Sequence, residues 1–585
     1  MNPPLPATGS FAQQGRAAWK GICRATCREI NRIWTRRPFL VVLIFLLLAL
    51  ALRIGQFPRQ RGDGAEYFVV TRSLARQGDL VIEPDEAEVY RQPNSPWQNV
   101  VLQWNYGPLI EGHDDRKRGI HPFIVPALVV PFYYLCSRLA PEQGAFHCYS
   151  VFGLWALLVS WYLLARFWEN KADPAAGAVE RWALRGLALL AISFTPILIY
   201  SHWVHPEVGV FLLLCLFFYW LDRNRPIPAA GALGLATAQN PAVIFWGLLL
   251  VGKAYAVWRR RRVVSEQPSR LWPYVAAAVL FPFPAVAYAL YSYHEFGALS
   301  VLRNYGNGYL PLLTATRVLR FYLDPFFGLI WFCPWIFLGL FARGTWRPFL
   351  TRLAVSIPVA AVCVAMINLN SHMVGLRYLL FVYPAFLFLP FSFPRCATGR
   401  LLLALYAVFC LWVGTPFVFK QKEAESFYYT INNGAYVGIR AVFRAIPALY
   451  NPEPEFFFEN ALHADVAYYL RNRKHAGRAR VSDSCWLVYV EKQWLPPGKA
   501  SLILKERGGK KNPESAPARF GINQSLSLPN HAVERRGGEY RLEFTARPEN
   551  FIPSPLWGEY LYLKFNHPVL KPLELELAGG QRIAL

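Results

Sequence analysis

The spacing of apolar residues constrains this chain more than anything else in it. They fall in blocks of roughly 16–22 residues, about the length a helix needs to cross the hydrocarbon core of a bilayer. A first block at 38–57 is followed by others at 120–139, 145–168, 182–202, 206–222, 228–257, 271–291, 326–342, 350–369, 376–393 and 400–419. With 54% of residues hydrophobic and a mean hydropathy of +0.22, the chain is too apolar for an ordinary soluble protein. The pattern specifies a polytopic α-helical membrane protein.

The net charge of +24 invites a nucleic-acid reading, but the placement of the charge excludes it. Lys and Arg sit mostly in short connectors between apolar blocks, where orientation signals belong. They do not interleave with aromatic residues along a soluble surface. Lys20, Arg24, Arg28, Arg32, Arg36 and Arg37 put the N-terminus in the cytoplasm. Trp19, Ile22, Ile30 and Ile33 recur at helical spacing, so part of residues 1–37 is expected to lie on the membrane as a basic amphipathic lead. That lead is too long for a cleavable signal and no small-residue cleavage site follows Leu52, so 38–57 reads as a signal anchor. The ten cysteines are scattered. Cys23 and Cys27 lack a second pair to complete a zinc site, and Cys485 stands alone in the C-terminal region, where no disulfide framework can form.

The basic connectors 166–185, 223–225, 259–270, 343–352 and 395–400 should all face the cytoplasm. They do so only if 120–139 does not cross. That block carries Pro122, Pro126 and Pro131, which suit a broken juxtamembrane or re-entrant helix on the outer side. The block 228–257 must then cross twice, as a hairpin through Gln239-Asn240-Pro241. About eleven crossings result, N-terminus in and C-terminus out, with a first outer loop over 58–144.

Three regions follow: the lead 1–37, a membrane domain 38–419 and an extracytoplasmic domain 420–585. The last should be small and mostly β. Period-two patterns run through Trp486–Val490, Tyr540–Phe544 and Tyr560–Phe565, with turns at Pro496-Pro497-Gly498 and Gly508-Gly509. A helical stretch around 456–473 opens it, and 507–517 is a polar insert.

On this topology the polar residues unusual for a membrane protein gather on the outer side. They are Gly62-Asp63-Gly64-Ala65-Glu66-Tyr67, His121-Pro122, His202-Trp203-Val204-His205-Pro206-Glu207, His294-Glu295-Phe296-Gly297 with Arg303, and Ser371-His372 with Arg377-Tyr378. Carboxylates can deprotonate a hydroxyl, imidazoles can shuttle protons, and Arg can hold a phosphate through two N–H groups. The bland readings are an interfacial hydrogen bond for a rim His beside Trp and a topology anchor for an Arg at a span end. No metal cluster is read in the outer loops, so neither a metal nor another cofactor is expected.

Asp63-Gly64-Ala65-Glu66-Tyr67, then Ser73-Leu74 and Gly78-Asp79-Leu80, resembles the first outer loop of GT-C fold glycosyltransferases. Within them it is most similar to bacterial relatives of protein O-mannosyltransferases and lipid A aminoarabinose transferases. Gly119-Ile120-His121-Pro122 with Pro126 and Pro131 resembles that family's juxtamembrane helix, Tyr200–Glu207 the outer end of its third span, and His294–Gly297 and Gly375–Tyr378 with Pro384 its later segments. The resemblance covers about residues 38–395. It departs at Gly64, where many relatives carry an acid, and at His205, where they carry an acid before Pro.

The resemblance implies inverting transfer of a hexose or pentose from a polyprenyl-phosphate donor on the extracytoplasmic face of a bacterial inner membrane. It carries the catalytic Asp to Asp63 and a phosphate-binding Arg to Arg377. Arg303 is a second candidate for the phosphate, and Tyr378, His121, His205 and Glu207 are expected to position substrate. Glu66 and Tyr67 join the binding set through the same motif, Glu66 otherwise reading as an acid at a helix start or on the surface. The acceptor, whether protein, lipid or glycan, stays open. A transporter or flippase of lipid-linked saccharides is the rival, favoured by the hairpin at 228–257 but not by any internal repeat. A membrane-anchored binding or assembly protein acting through 420–585 is a third.

Overall fold

The computed structural model describes residues 30–56, 58, 64–83, 109–111, 114, 116–119, 121–140, 144–174, 177–264, 271–299, 313, 315–323, 328–342, 344–365, 377–419, 476–480, 485–495, 497–506, 519–522, 533–536, 539–547, 552–554, 558–566, 570–577 and 580–585. The helices that carry the argument are α1 (Pro38–Arg53), α2 (Gly64–Arg76), α3 (Ile124–Leu139), α4 (Cys148–Lys171), α5 (Ala178–Ser193), α6 (Glu207–Asp222), α7 (Pro226–Gln239), α8 (Gly247–Val264), α9 (Trp272–Leu280), α10 (Phe283–Phe296), α11 (Ala315–Leu323), α12 (Trp346–Ala365) and α13 (Ala397–Phe419). A short helix, Ile30–Arg36, meets α1 at 110°. Pro38 opens α1, where its fixed φ suits a first turn and its missing N–H costs nothing. The earlier lead, with Trp19 and Ile22, lies outside the described residues, as does the expected helix at 456–473.

Among the described residues, five helical stretches are long and apolar enough to cross a bilayer, or six if Ile30–Arg36 and α1 count as one bent span. In four of the five fewer than a third of the residues are buried, and large apolar side chains stand open on α1, α8, α9, α10, α12 and α13. Val279 at 68% exposed and Phe283 at 67% are examples. An aqueous surface does not tolerate apolar area on that scale, so these faces meet lipid. By contrast, α4 is buried on all sides, as a helix apolar all round should be at the centre of a bundle.

The bundle has two chemically distinct ends. At one, Glu169 is held by Arg185 (2.5 Å) and Arg166 (3.0 Å) and accepts from Trp34 Nε1 (3.2 Å). Lys171 pairs there with Asp222 at 3.0 Å and Arg395 with Asp173 at 2.6 Å. The other end collects His and Glu. Helix α3, expected to be broken at its prolines, is instead one continuous helix with Pro131 inside it, and it packs against that polar end. Its Val125 N–H donates to Gln239 Oε1 (2.8 Å), and Phe132 and Tyr133 pack on Phe152 and Phe68. Gln239-Asn240-Pro241 is the tip of a hairpin. Asn240 is extended, its Oδ1 accepts from Ala242 N–H (3.2 Å), and a 3₁₀ turn over Pro241–Trp246 leads into α8. The return strand of the hairpin brings Lys253 back to Asn224 beside the start of α7 (3.3 Å).

Two blocks expected as ordinary spans are not continuous helices. The block 326–342 is a single turn at Leu329–Phe332 followed by 3₁₀ backbone over Pro334–Phe341. In 376–393, 3₁₀ backbone at Arg377–Phe381 and a short helix at Tyr383–Leu387 give way to irregular chain. Pro334, Pro384 and Pro390 interrupt the ladders. Irregular backbone survives at this depth only where protein satisfies it. Side chains from neighbouring elements do so here. Trp168 Nε1 donates to the carbonyls of Leu387 (3.0 Å) and Leu389 (3.2 Å), Trp246 Nε1 to Phe381 (2.9 Å), Arg352 to Ala385 and Tyr406 to Pro334, while the Tyr383 hydroxyl of the irregular segment itself donates to the Ala191 carbonyl in the last turn of α5 (2.5 Å).

A two-stranded ladder of β1 (Leu109–Glu111) and β2 (Lys117–Gly119) lies in the loop between α2 and α3. From residue 476 the described chain is all β: β3 (Ala476–Arg480), β4 (Cys485–Glu491), β5 (Gly498–Glu506), β6 (Arg519–Ile522), β7 (Glu534–Arg536), β8 (Glu539–Ala546), β9 (Ile552–Ser554), β10 (Gly558–Asn566), β11 (Leu570–Leu577) and β12 (Arg582–Ala584). They form two antiparallel five-stranded sheets, β3-β4-β10-β6 with β9 on β10, and β12-β11-β5-β8-β7. The sheets share one core in which Val488, Val490, Leu561 and Leu563 meet Leu502, Leu504, Leu542 and Phe544. Alternation along β8 puts Tyr540, Leu542, Phe544 and Ala546 inward, the signature of a sheet with one buried face.

Candidate functional site

Two buried carboxylates organise the polar end. Glu66 sits in the first turn of α2, where the helix dipole favours an anion. It is 1% exposed, so the surface-acid reading of this residue is wrong. Its Oε1 accepts the backbone N–H of His121 (2.7 Å), and its Oε2 lies 2.6 Å from His121 Nδ1. The ladder of β1 and β2 delivers His121 to this place. Gly119, at the end of β2, lets the chain approach: a Cβ there would stand 2.7 Å from Glu66 Oε1 and 2.9 Å from Val70 Cγ2. The sequence could not reveal this burial, because the partner lies 55 positions away in the chain.

The second carboxylate, Glu207, opens α6 and is 3% exposed. A carboxylate buried this deeply requires opposite charge or donors around it. His205 Nδ1 lies 3.1 Å from its Oε2 and Arg377 Nη1 3.7 Å from its Oε1. A second guanidinium nitrogen, Nη2, donates to the Tyr378 hydroxyl (2.9 Å), and the guanidinium carbon is 4.9 Å from the Tyr378 ring centre. His205 and Glu207 were legible in the sequence as separate candidates, but not as a pair. The arrival of Arg377 from 170 positions onward was not legible either.

Tyr67 joins the two groups. Its ring centre is 5.3 Å from that of His121 and 5.7 Å from that of His205, and Trp203 flanks His205 at 6.0 Å. The Tyr67 carbonyl accepts from the Tyr149 hydroxyl (3.0 Å), which also bonds Thr71 Oγ1 (2.8 Å) and so fastens α2 to α4. Gly64 closes on the same turn, since a Cβ there would lie 3.0 Å from the Val204 carbonyl oxygen. Seven expected site residues, Glu66, Tyr67, His121, His205, Glu207, Arg377 and Tyr378, thus form one connected cluster. Asp63 and Arg303 lie outside the described residues, as does Ser371-His372.

The motif His294–Gly297 does not join the cluster directly. His294 is 83% exposed, while Gly297 ends α10 in the left-handed conformation (φ 67°). Glu295 instead pairs with Arg118 at 3.0 Å, and Arg118 also bonds Asp114 Oδ2 at 2.9 Å. The Arg118 guanidinium holds the Asp114 carboxyl well below the usual carboxylate range, and Asp114 and Glu295 together raise Arg118. This pairing ties the loop between α2 and α3 to the end of α10. Sequence reading also missed Arg53, which is buried in the last turn of α1 and contacts His202 Nδ1. A cation closing the first apolar block was its only trace.

Chemically, a carboxylate on Nδ1 fixes the proton of His121 there, so any further proton goes to Nε2. The Arg377 fork offers charge-assisted donors to an anion beside a positioned imidazole. Among the described residues no three His, Cys, Asp or Glu side chains assemble as a metal site.

No protein-family profile matches the sequence, and no curated protein matches it. Among solved structures, the chain is similar to ArnT from Cupriavidus metallidurans bound to undecaprenyl phosphate, at 13% identity over 69% of this chain and 72% of that one, with a TM-score of 0.37. An overlap of that size assigns neither an activity nor a site.

Proposed function

We propose that the chain is a membrane glycosyltransferase that moves a sugar from a polyprenyl-phosphate donor to an acceptor on the extracytoplasmic face of a bacterial inner membrane. The observation that supports this reading is the cluster just described. Two buried acid–imidazole pairs and an arginine fork gather at the end of the bundle opposite the Lys/Arg-rich one, around residues of the first-loop motif. About eleven crossings, with the cationic end in the cytoplasm, and the division into 1–37, 38–419 and 420–585 belong to the same reading.

In this mechanism Asp63 takes the proton of an acceptor hydroxyl as its oxygen attacks the anomeric carbon from the face opposite the phosphate. The bond from that carbon to the phosphate oxygen breaks, inversion follows, and polyprenyl phosphate leaves with the bonding pair. Phosphate is a weak base, so its departure needs charge stabilisation more than an acid. Arg377 supplies that charge, with Arg303 as a second contributor. Glu207 and Tyr378 hold the Arg377 fork in place. His121, set by Glu66, and His205 orient the sugar and acceptor across Tyr67.

Transport of a lipid-linked saccharide is the second reading, favoured by the broken backbone at 377–391 and the tip at Asn240. Detergent-solubilised protein separates the two, because transport needs a sealed compartment and bond transfer does not. With a radiolabelled polyprenyl-phosphate sugar and envelope extract, the wild type should release free polyprenyl phosphate and Asp63→Asn should not, with its melting curve unchanged. An intact donor with wild type, or full turnover by Asp63→Asn, overturns the assignment.

A further inference from the structure

The cationic end of the bundle holds a cavity that the transfer chemistry does not use. It has a volume of about 370 Å³ and lies between α6, α8 and α12, lined by Leu221, Leu249, Lys253, Arg347, Thr351 and Arg352 among others. Three of its side chains are cations and none is an acid. Asp222, next to Leu221 in the chain, is engaged by Lys171 at 3.0 Å. Two of the cations are anchored. Lys253 Nζ donates to the Leu221 carbonyl and to Asn224 Oδ1 (3.3 Å). Arg352 donates to the Ala385 carbonyl and lies 5.3 Å over the Phe218 ring. An ammonium carries three donors and a guanidinium five, so both retain capacity for an oxyanion. Arg347 is exposed at the mouth, 5.4 Å from the ring of Trp346.

The surroundings select the source of the anion. Leu248, Val251 and Tyr255 on α8 and Trp346 and Leu350 on α12 are exposed apolar side chains, on the lipid-facing helices that wall the cavity. A free phosphate gains nothing from them, whereas acyl chains attached to a phosphate would lie along both helices. We infer that this cavity binds the phosphate headgroup of an anionic phospholipid of the cytoplasmic leaflet. Basic pockets between spanning helices on that side suit such headgroups. The inference rests on the membrane orientation and not on the transferase reading.

The test uses the full-length protein in nanodiscs containing phosphatidylglycerol and phosphatidylcholine in equal amounts. Lipid retained after transfer to detergent is counted by native mass spectrometry. Wild type should retain phosphatidylglycerol in preference, Arg347→Gln should lower that preference roughly fivefold, a single cation's worth at a membrane surface, and Arg347→Lys should largely restore it. Arg395→Gln, which removes an exposed cation at the same end of the bundle, should change nothing. Equal retention of the two lipids overturns the inference. So does an equal loss in Arg395→Gln, which would mean diffuse attraction to the whole basic face, or complete displacement by millimolar inorganic phosphate, which would mean a free-phosphate site. None of these outcomes touches donor turnover, so this proposal and the transferase fail separately.

Discussion

At the scale of single residues, the site depends on close approach. Gly119 brings β2 within contact of Glu66 and Val70, and a methyl group there has no room. Gly119→Ala should cost about 1–3 kcal/mol, the usual range for overpacking a tight site, and should displace the backbone N–H that Glu66 accepts. Thermal unfolding in detergent checks it: a lowered Tm with reduced turnover is expected, and an unchanged Tm would mean the approach is not tight. Position 119 shows what the sequence conceals. His121-Pro122 was legible as a chemical motif, but its acid partner was not, because Glu66 reads locally as an ordinary helix-start acid. Only tertiary contact decides whether such an acid faces water or an imidazole. His205 and Glu207, which bracket a proline at a helix start, were each legible as candidates, and their contact is a finding of the structure.

At the scale of elements, prolines and charges were legible and backbone detail was not. Pro122, Pro126 and Pro131 suggested a broken helix, but Ile124–Leu139 is one continuous helix with Pro131 inside it; sequence alone does not tell a tolerated helical proline from a break. Asn240 and Pro241 did mark the hairpin tip. Hydropathy could not show that 326–342 and 376–393 are broken, because an apolar composition is the same whether the ladder or Trp168, Trp246 and Tyr406 satisfy the carbonyls. The pairing of Arg118 with Asp114 and Glu295 carries a prediction about pH. The Asp114 carboxyl is depressed chiefly by its hydrogen bond to Arg118. Its contribution is therefore present above the ordinary carboxylate pKa of ~4 and is lost only as pH falls through the lower folded value. Amide exchange in 117–119 should stay slow from about pH 8 down to about pH 4 once corrected for intrinsic rates, and Arg118→Gln should speed it throughout. Release of these amides in wild type near pH 5 would contradict the pairing.

At the scale of the whole molecule, apolar blocks and connector charge made the class legible, and period-two runs made the C-terminal strands legible. The packing of two sheets around one core was not, because alternation reports a buried face but not what covers it. Orientation has a direct check in Cys396, which is exposed in the 395–400 connector. With Cys23, Cys27 and Cys485 replaced by Ser, a membrane-impermeant maleimide should label Cys396 in inverted vesicles and spare it in intact spheroplasts; the reverse pattern would invert the topology. On the proposed orientation the two proposed anion sites lie on opposite faces, and the donor phosphate is assigned to the one at Arg377. The most direct measurement is the Kd of polyprenyl phosphate for three proteins: wild type, Arg377→Gln and Arg347→Gln. Losing charge-assisted bonds worth about 1.5–3 kcal/mol should weaken binding by roughly ten- to a hundredfold in Arg377→Gln and leave Arg347→Gln at the wild-type value. Wild-type affinity in Arg377→Gln would contradict the account.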